Sequence, residues 1–505
     1  MEIKMNVNEK IKALRDLQSR MSAYEHAMSL IFYDGATTAP KGTAENRAHA
    51  LAILSEETYK MSTGDETVRL LEELDSMMDT LSDEDARMVY LMYKDIRELK
   101  KIPMEEYVAY QELLVRADDV WHRAKDESDF ESFRPVLEEI FAAEKRFAKY
   151  CAPDKKPYDY CLDKYEPGLT TEKCDEFFSS LKSRLVPLIA KIAEKKQIDN
   201  SCIHGKFDVN RQRCFSLKLM EHMGIDLDRC GLGETEHPFT TSIGSHRDVR
   251  ITTNYNENDL SASMYSVIHE GGHALYDMNS RDSFAYTVLD GGVSMGIHES
   301  QSRFYENLLG RSRAYIESIF PILRECFPEE TENTTPEDFY RAVNLVTPSL
   351  IRTEADEVTY CLHVMVRYEL ERRIMSDELE VRDLPAEWNR LYKEYLGVDV
   401  PDDRRGVLQD SHWSGGGIGY FPSYALGSAY GAHILSKMKE NVDVDACLKA
   451  GDFAPINDWN REKIWQFGRM LPPDRLLRDV LGEEFDPKYY LDYLEEKYSE
   501  LYGLE

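Results

Sequence analysis

The sequence predicts a mainly α-helical protein with a small β element beside one chemically loaded helix. Two observations predict it. Apolar residues recur at spacings of three and four along most of the chain, as in NEKIKALRDLQSRMSAYEHAMSLIF at 8–32. The texture changes at 236–256, where EHPFTTSIGSHRDVRITTNYN alternates β-branched residues and threonines around Gly-Ser-His-Arg-Asp. This stretch is the best hairpin candidate in the chain.

The elements follow in order. ENRAHALAILSEETYKM (45–61), TVRLLEELDSMMDTL (67–81), EEYVAYQELLVRADDVWHRAK (105–125), ESFRPVLEEIFAAEKRFAKYC (131–151) and EKCDEFFSSLKSRLVPLIAKIAEKK (172–196) keep the helical spacing. Thr170 or Thr171 caps the last of these. The first 230 residues therefore read as a stack of helices. After the hairpin, DLSASMYSVIHEGGHALYDM (259–278) resumes the pattern, and helices are expected at 300–326, 352–374, 424–440, 456–469 and 486–502. Residues 401–423, PDDRRGVLQDSHWSGGGIGYFPS, read as a long loop. Loops of this length in compact chains are functional or disordered, and Trp413, Tyr420 and Phe421 argue against disorder. No repeat, low-complexity segment or linker divides the chain. Residues 1–505 are read as a single domain, with room for two helical lobes.

Composition narrows the function. The chain holds 93 acidic and 62 basic residues, a net charge of −31. Such a surface repels phosphate backbones and anionic lipid, so neither nucleic acid nor a membrane surface is expected as a partner. Nine cysteines, with no Cys-x-x-Cys pair, suit a reducing compartment, because a disulfide framework favours an even count and a shorter chain. The start, MEIKMNVNEKIKALRDL, lacks the apolar run of a secretory signal. No stretch approaches the ~18 apolar residues of a membrane span. A cytoplasmic location is the expectation.

The chemistry sits in SVIHEGGHALYD. On a helix, residues four apart share a face, so His269 and His273 reach one metal ion while Glu270 stands beside it. In this arrangement two imidazoles hold zinc and the glutamate takes a proton from the water it activates. Gly271 and Gly272 each cost roughly 1 kcal/mol in a helix interior relative to alanine, which points to a neighbouring element packed closely against them. A catalytic zinc site uses three protein ligands. Glu299, in GIHESQSRFYENLLG, is the leading third ligand, with His298 as rival and Glu306 as a weaker one. Asp277 continues the histidine face and is expected to orient His273.

Further residues fit a peptide-hydrolysing site. HPF at 237–239 and DVRIT at 248–252 flank the hairpin, whose edge suits an extended peptide. Arg250 is then site-facing, although a solvated strand arginine is the plainer reading. Arg352, in LIRTEADEVTY, matches a substrate carboxylate by its planar fork; the local alternative is an ion pair with Asp356. His412, Tyr420 and Tyr424 are candidate donors to an oxyanion, or loop packing.

HPF, DVRIT, HEGGH, HESQ, IRTEADE and GVLQDSHW resemble, in this order, the motifs of the carboxypeptidase Taq family of metallocarboxypeptidases. FYDGATTAPKGTAENRAHALA is similar to that family's Trp-Asp…Pro-x-Gly…Arg segment, with Tyr33 in the tryptophan's place, and FPSYALGSAY also matches. The resemblance implies a helical homodimer with a deep active-site cleft in each subunit. It implies release of single residues from peptide C-termini, with broad specificity and poor action after proline. It assigns His269, His273 and Glu299 to zinc, or cobalt in its place, and Glu270 to the general base. Arg352 becomes the carboxylate clamp, with Arg250, His237 and Tyr420 as weaker assignments. Two alternatives stand beside it. One is a helical zinc oligopeptidase cutting inside short peptides. The other is a non-catalytic binding protein with a structural metal, which would call for a closed set of ligands, often cysteines; no cysteine lies between 269 and 299.

Overall fold

The structure is a computed structural model and describes residues 5–504. Four helices come first: α1 (Val7–Thr37), α2 (Ala44–Thr63), α3 (Asp65–Asp75) and α4 (Asp83–Leu99). Asn6 starts α1 with a capping box. Its side chain accepts from the Glu9 N–H, and the Glu9 carboxylate accepts from the Asn6 N–H. Then follow α5 (Met104–Glu127), α6 (Phe130–Cys151), α7 (Pro157–Tyr165), α8 (Thr171–Ala193) and α9 (Val209–His222). Thr170, not Thr171, caps α8, accepting from the Lys173 N–H at 3.3 Å. α4, α7 and α9 are not among the helices expected from the sequence, although α4 buries Met88, Val89 and Tyr93 along one face.

The hairpin candidate is a strand pair within a three-stranded sheet. β1 (Cys230–Glu234), β2 (Thr240–Ser242) and β3 (Val249–Thr253) lie in the order β1-β3-β2. β2 and β3 are antiparallel, with Thr241 opposite Arg250, while β1 runs parallel to β3. β3 lies against α10 (Leu260–Asp277), the helix that carries both histidines. Val249 and Ile251 are fully buried there, and burying each side chain contributes about 1.5–3 kcal/mol.

Beyond α10 come α11 (Met295–Arg303), α12 (Arg313–Cys326), α13 (Pro336–Val343), α14 (Tyr360–Met375), α15 (Leu384–Leu396) and α16 (Pro422–Lys439). Several boundaries differ from the periodicity: the helix expected over 67–81 ends at Asp75 and the one expected over 456–469 ends at Lys463, and two further differences bear on the site. The helix expected over 300–326 is broken: a π-helical turn, Phe304–Leu309, follows α11, and Ser312 caps a new helix after Gly310. The helix expected from 352 begins at Tyr360. Asp356 accepts from the Val358 and Thr359 N–H groups, each at 3.0 Å, and holds that stretch as a turn. The C-terminal helix spans Lys488–Tyr502.

Buried apolar side chains fall into two clusters. A small one joins Leu14, Leu71, Leu74, Met88 and Val89 of the first helices to Phe284 and Leu289. A large one runs from α5 to the C-terminal helix and encloses α10, α11 and α16. The loop expected over 401–423 runs to Phe421, where α16 takes over; residues 401–421 form neither helix nor strand, yet Trp413 and Phe421 within them are buried. Among the described residues, no helix is long and apolar enough to cross a membrane.

Candidate metal centre and active site

Asp259 caps α10 and Ser294 caps α11, fixing where each site-bearing helix starts. The two helices cross at Gly272. A Cβ there would lie 2.6 Å from the Gln301 carbonyl oxygen and 2.8 Å from Ser302 Cα, so only glycine lets the backbones meet. From the other side, α16 closes on α11 through Gly427, where a Cβ would lie 2.5 Å from Glu299 Cγ. Gly271 is different: its added Cβ would meet only the tips of Met223 and Ile225, at 3.0 Å.

This crossing brings three groups together. Glu299 Oε2 lies 3.7 Å from His269 Nε2 and 3.5 Å from His273 Nε2, and the three donor atoms lie within 4.8 Å of one another. Those separations exceed hydrogen bonds but match donors sharing one ion at about 2.0–2.2 Å each. The donor set of two imidazoles and one carboxylate therefore fits a divalent metal.

The groups behind the ligands fix their orientation. His269 Nδ1 lies 2.7 Å from Glu306 Oε2 and donates to it, which frees Nε2 for the metal side. Arg303 donates to Glu299 Oε1 at 2.8 Å and to Glu306 Oε2 at 3.1 Å. Burial opposes ionisation of both acids. Arg303 and the imidazoles outweigh it, holding Glu299 well below its ordinary value and Glu306 down to about 2. Glu306, the weaker rival as a ligand, thus stands behind a ligand. Glu306→Gln is expected to lower metal affinity about 10–100-fold, measurable by competition with a chromogenic chelator.

His298, the other rival, turns aside. Its Nε2 lies 2.9 Å from Asp277 Oδ1, and its ring stacks on His273 at 4.4 Å. Asp277 therefore orients His298 rather than His273. Glu270 is buried beside the ligands, and its Oε2 accepts from Thr240 Oγ1 at 2.6 Å. Strand β2 thereby aims the glutamate. Thr240 was not singled out in the sequence; its position next to HPF, in the predicted hairpin, is the one signal that pointed to it.

On the other side of Glu299 lies a cluster of arginines and tyrosines. Arg352 is buried and donates to Asp410 Oδ1 from Nε at 3.1 Å and from a terminal nitrogen at 2.9 Å. Asp410 is shared with the fully buried Arg367, which donates from Nε at 2.7 Å. Arg352 also packs 4.7 Å from the Tyr424 ring centre. The partner is thus Asp410, across the fold, and not Asp356, which is engaged by the turn before α14. Tyr420 packs edge-on against Tyr424, and His412 Nε2 lies 3.1 Å from the Tyr424 hydroxyl. Both tyrosines feel the charges of Glu299 and Arg352. Burial, with Arg352 and Arg367, pushes His412 down to about 4 and keeps it neutral.

His237 is exposed on the connection between β1 and β2. Arg250 pairs with Asp248 at 2.6 and 3.0 Å. It lies on the face of β3 opposite Val249 and Ile251, near Tyr33 of α1. Neither is gathered with the three ligands. A cavity of about 580 Å³ opens between α1 and α4 on one side and the sheet on the other. Asp277, which holds His298, lines it, but His269, His273, Glu270 and Glu299 do not.

Comparison with known proteins agrees with this geometry. Residues 13–498 match the family model described as carboxypeptidase Taq (M32) metallopeptidase. Carboxypeptidase 1 of Bacillus subtilis is 41% identical over 502 residues, covering 99% of this chain and 100% of that protein. Thermostable carboxypeptidase 1 of Pyrococcus furiosus is 37% identical over 97% of this chain and 99% of its own. The crystal structure of an M32 carboxypeptidase from Deinococcus radiodurans superposes with a TM-score of 0.94 at 35% identity, covering 98% of this chain and 99% of that one. With a helical body, a small sheet beside the histidine helix and three converging candidate ligands already in place, these matches are decisive: the chain belongs to the carboxypeptidase Taq (M32) family of metallopeptidases.

Proposed function

We propose that this metal-dependent carboxypeptidase releases single residues from peptide C-termini with broad specificity, as a cytoplasmic homodimer with one catalytic domain per chain. The observation that carries the reading is the placement of Glu270 next to the His269, His273 and Glu299 set, with a buried arginine cluster on the far side of Glu299. A divalent ion, zinc or cobalt, would be held by those three residues and would polarise the scissile carbonyl and acidify water.

The chain's own groups supply the rest. Thr240 holds Glu270 Oε2, which leaves Oε1 to accept the proton of the attacking water and return it to the leaving amine. Tyr420, with Tyr424 beside it, donates to the carbonyl oxygen as it gains charge. Arg352, steadied by Asp410, presents its remaining N–H groups to the substrate's terminal carboxylate. The enzyme then counts one residue back from the chain end. Arg250 and His237 lie further out and would meet substrate upstream of the cleaved bond. The dimer rests on family resemblance; the cytoplasmic location rests on nine cysteines without a Cys-x-x-Cys pair.

The test is mass spectrometry of matched unblocked and C-amidated peptides, with and without a chelator. Stepwise losses are expected from free C-termini only, and chelation should abolish them. Internal cuts indifferent to amidation would put the oligopeptidase reading in its place.

A further inference from the structure

The loop at 401–421 presents Tyr420 without any helix or strand of its own. Its position must come from side chains that grip it. One grip is Asp410, held by Arg352 and Arg367. Trp121 and Lys125 of α5 hold the backbone carbonyls of Leu408 and Gln409, and another grip, closer to Tyr420, lies deeper. Glu371 of α14 is fully buried, and three groups donate to its carboxylate. The Trp413 indole N–H reaches Oε1 at 2.7 Å, while the Tyr158 hydroxyl and the Gly419 backbone N–H reach Oε2 at 2.7 and 2.8 Å. Two of these donors belong to the loop, and Tyr158 belongs to α7.

Gly419 directly precedes Tyr420. It has φ +89°, and a Cβ there would stand 2.7 Å from the Cys161 carbonyl carbon. The loop backbone is therefore wedged between Glu371 and the α7 backbone at the residue before the tyrosine. Tyr420 then meets Tyr165, at the end of α7, edge-on at 5.0 Å. The Tyr420 ring thus rests on Tyr165 of α7, His412 of the loop and Tyr424 of α16, while Glu371 and the α7 backbone set the main chain one residue before it.

We propose that Glu371 is a positioning residue for peptide hydrolysis: by holding Trp413 and Gly419 it fixes where the Tyr420 hydroxyl stands relative to the scissile carbonyl. Glu371 touches neither the ligands nor substrate, and it acts through Tyr420. The inference rests on the donor role given to Tyr420 above. It extends the reading to a residue that lies in none of the family-like motifs.

Glu371→Gln replaces one acceptor oxygen by an amide N–H₂ that cannot accept from the loop. The expected result is a fall in kcat of about 100-fold, the scale of a small misplacement, with KM and metal content near wild type. Tyr420→Phe alone should cost about 10²–10³ in kcat, as loss of one oxyanion donor does. The double variant should be no slower than the slower single one, because a displaced hydroxyl has little left to lose. Multiplied losses would overturn the proposal and leave the Tyr420 assignment standing. Wild-type kcat in Tyr420→Phe alone would sink both. If Glu371→Gln does not fold, Tyr158→Phe removes one of the three donors with little change of shape. It should show a smaller fall in kcat, again not multiplied by Tyr420→Phe.

Discussion

Glu270→Gln is expected to keep its metal and lose catalysis, with kcat falling about 10²–10⁴-fold, the usual contribution of a positioned acid–base group. The three ligand atoms cluster without Glu270, so metal content measured by atomic absorption should match wild type. The glutamine is nearly isosteric, and the Thr240 hydroxyl can still donate to its carbonyl oxygen, so the side chain stays aimed. What disappears is the ability to accept a proton. KM should change little, because the proposed reading gives the substrate carboxylate to Arg352 and not to Glu270. Near-normal turnover would move the general base to another group. Loss of the metal would instead place Glu270 among its ligands.

The parts of this site that were legible in the sequence are the local ones. A spacing of four residues on a helix puts His269 and His273 on one face whatever the fold. The glycine pair announced a close approach, and the structure narrows that requirement to Gly272. Long-range partners were not legible. Thr240 meets Glu270 across 30 residues, and Arg352 meets Asp410 across 58. Nothing in RTEAD distinguishes an arginine that pairs with its neighbour from one that pairs across the molecule. Asp356 was the natural local partner, but backbone N–H groups of the turn before Tyr360 claim it. Strand β1, CGLGE, has two glycines and no alternation of apolar and polar residues. Its pairing with β3 comes from the sheet, so periodicity passes over it. The same holds for the break at Gly310, where one helical pattern spans two helices and the π-helical turn that carries Glu306.

The sharpest contrast lies within that glycine pair. Gly271→Ala should be neutral or stabilising by up to ~1 kcal/mol, since alanine is the better helix former. Its Cβ meets side-chain tips of Met223 and Ile225 at 3.0 Å, which can give by a few tenths of an ångström. Gly272→Ala meets backbone at 2.6 and 2.8 Å. Ordinary contact begins near 3.4 Å, so α11 must move away by more than half an ångström, and Glu299 moves with it. Metal sites keep their distances to about ±0.2 Å. The helix cannot retreat freely, because Gly427 of α16 already holds Glu299 from behind. Gly272→Ala is therefore expected to lose metal affinity by at least about 100-fold, on the scale of a disrupted ligand shell. Activity should return in part with excess zinc. Gly272→Leu, with four more atoms to place, should lose the site altogether and destabilise the fold. Thermal melts with and without zinc separate the two effects: the metal-free alanine variant should melt below the wild-type apo-protein by the roughly 1–3 kcal/mol of an overpacked contact, and it should gain less from added metal. If Gly272→Ala binds zinc and turns over peptide like wild type, the close crossing of α10 and α11 is not what sets the ligand geometry.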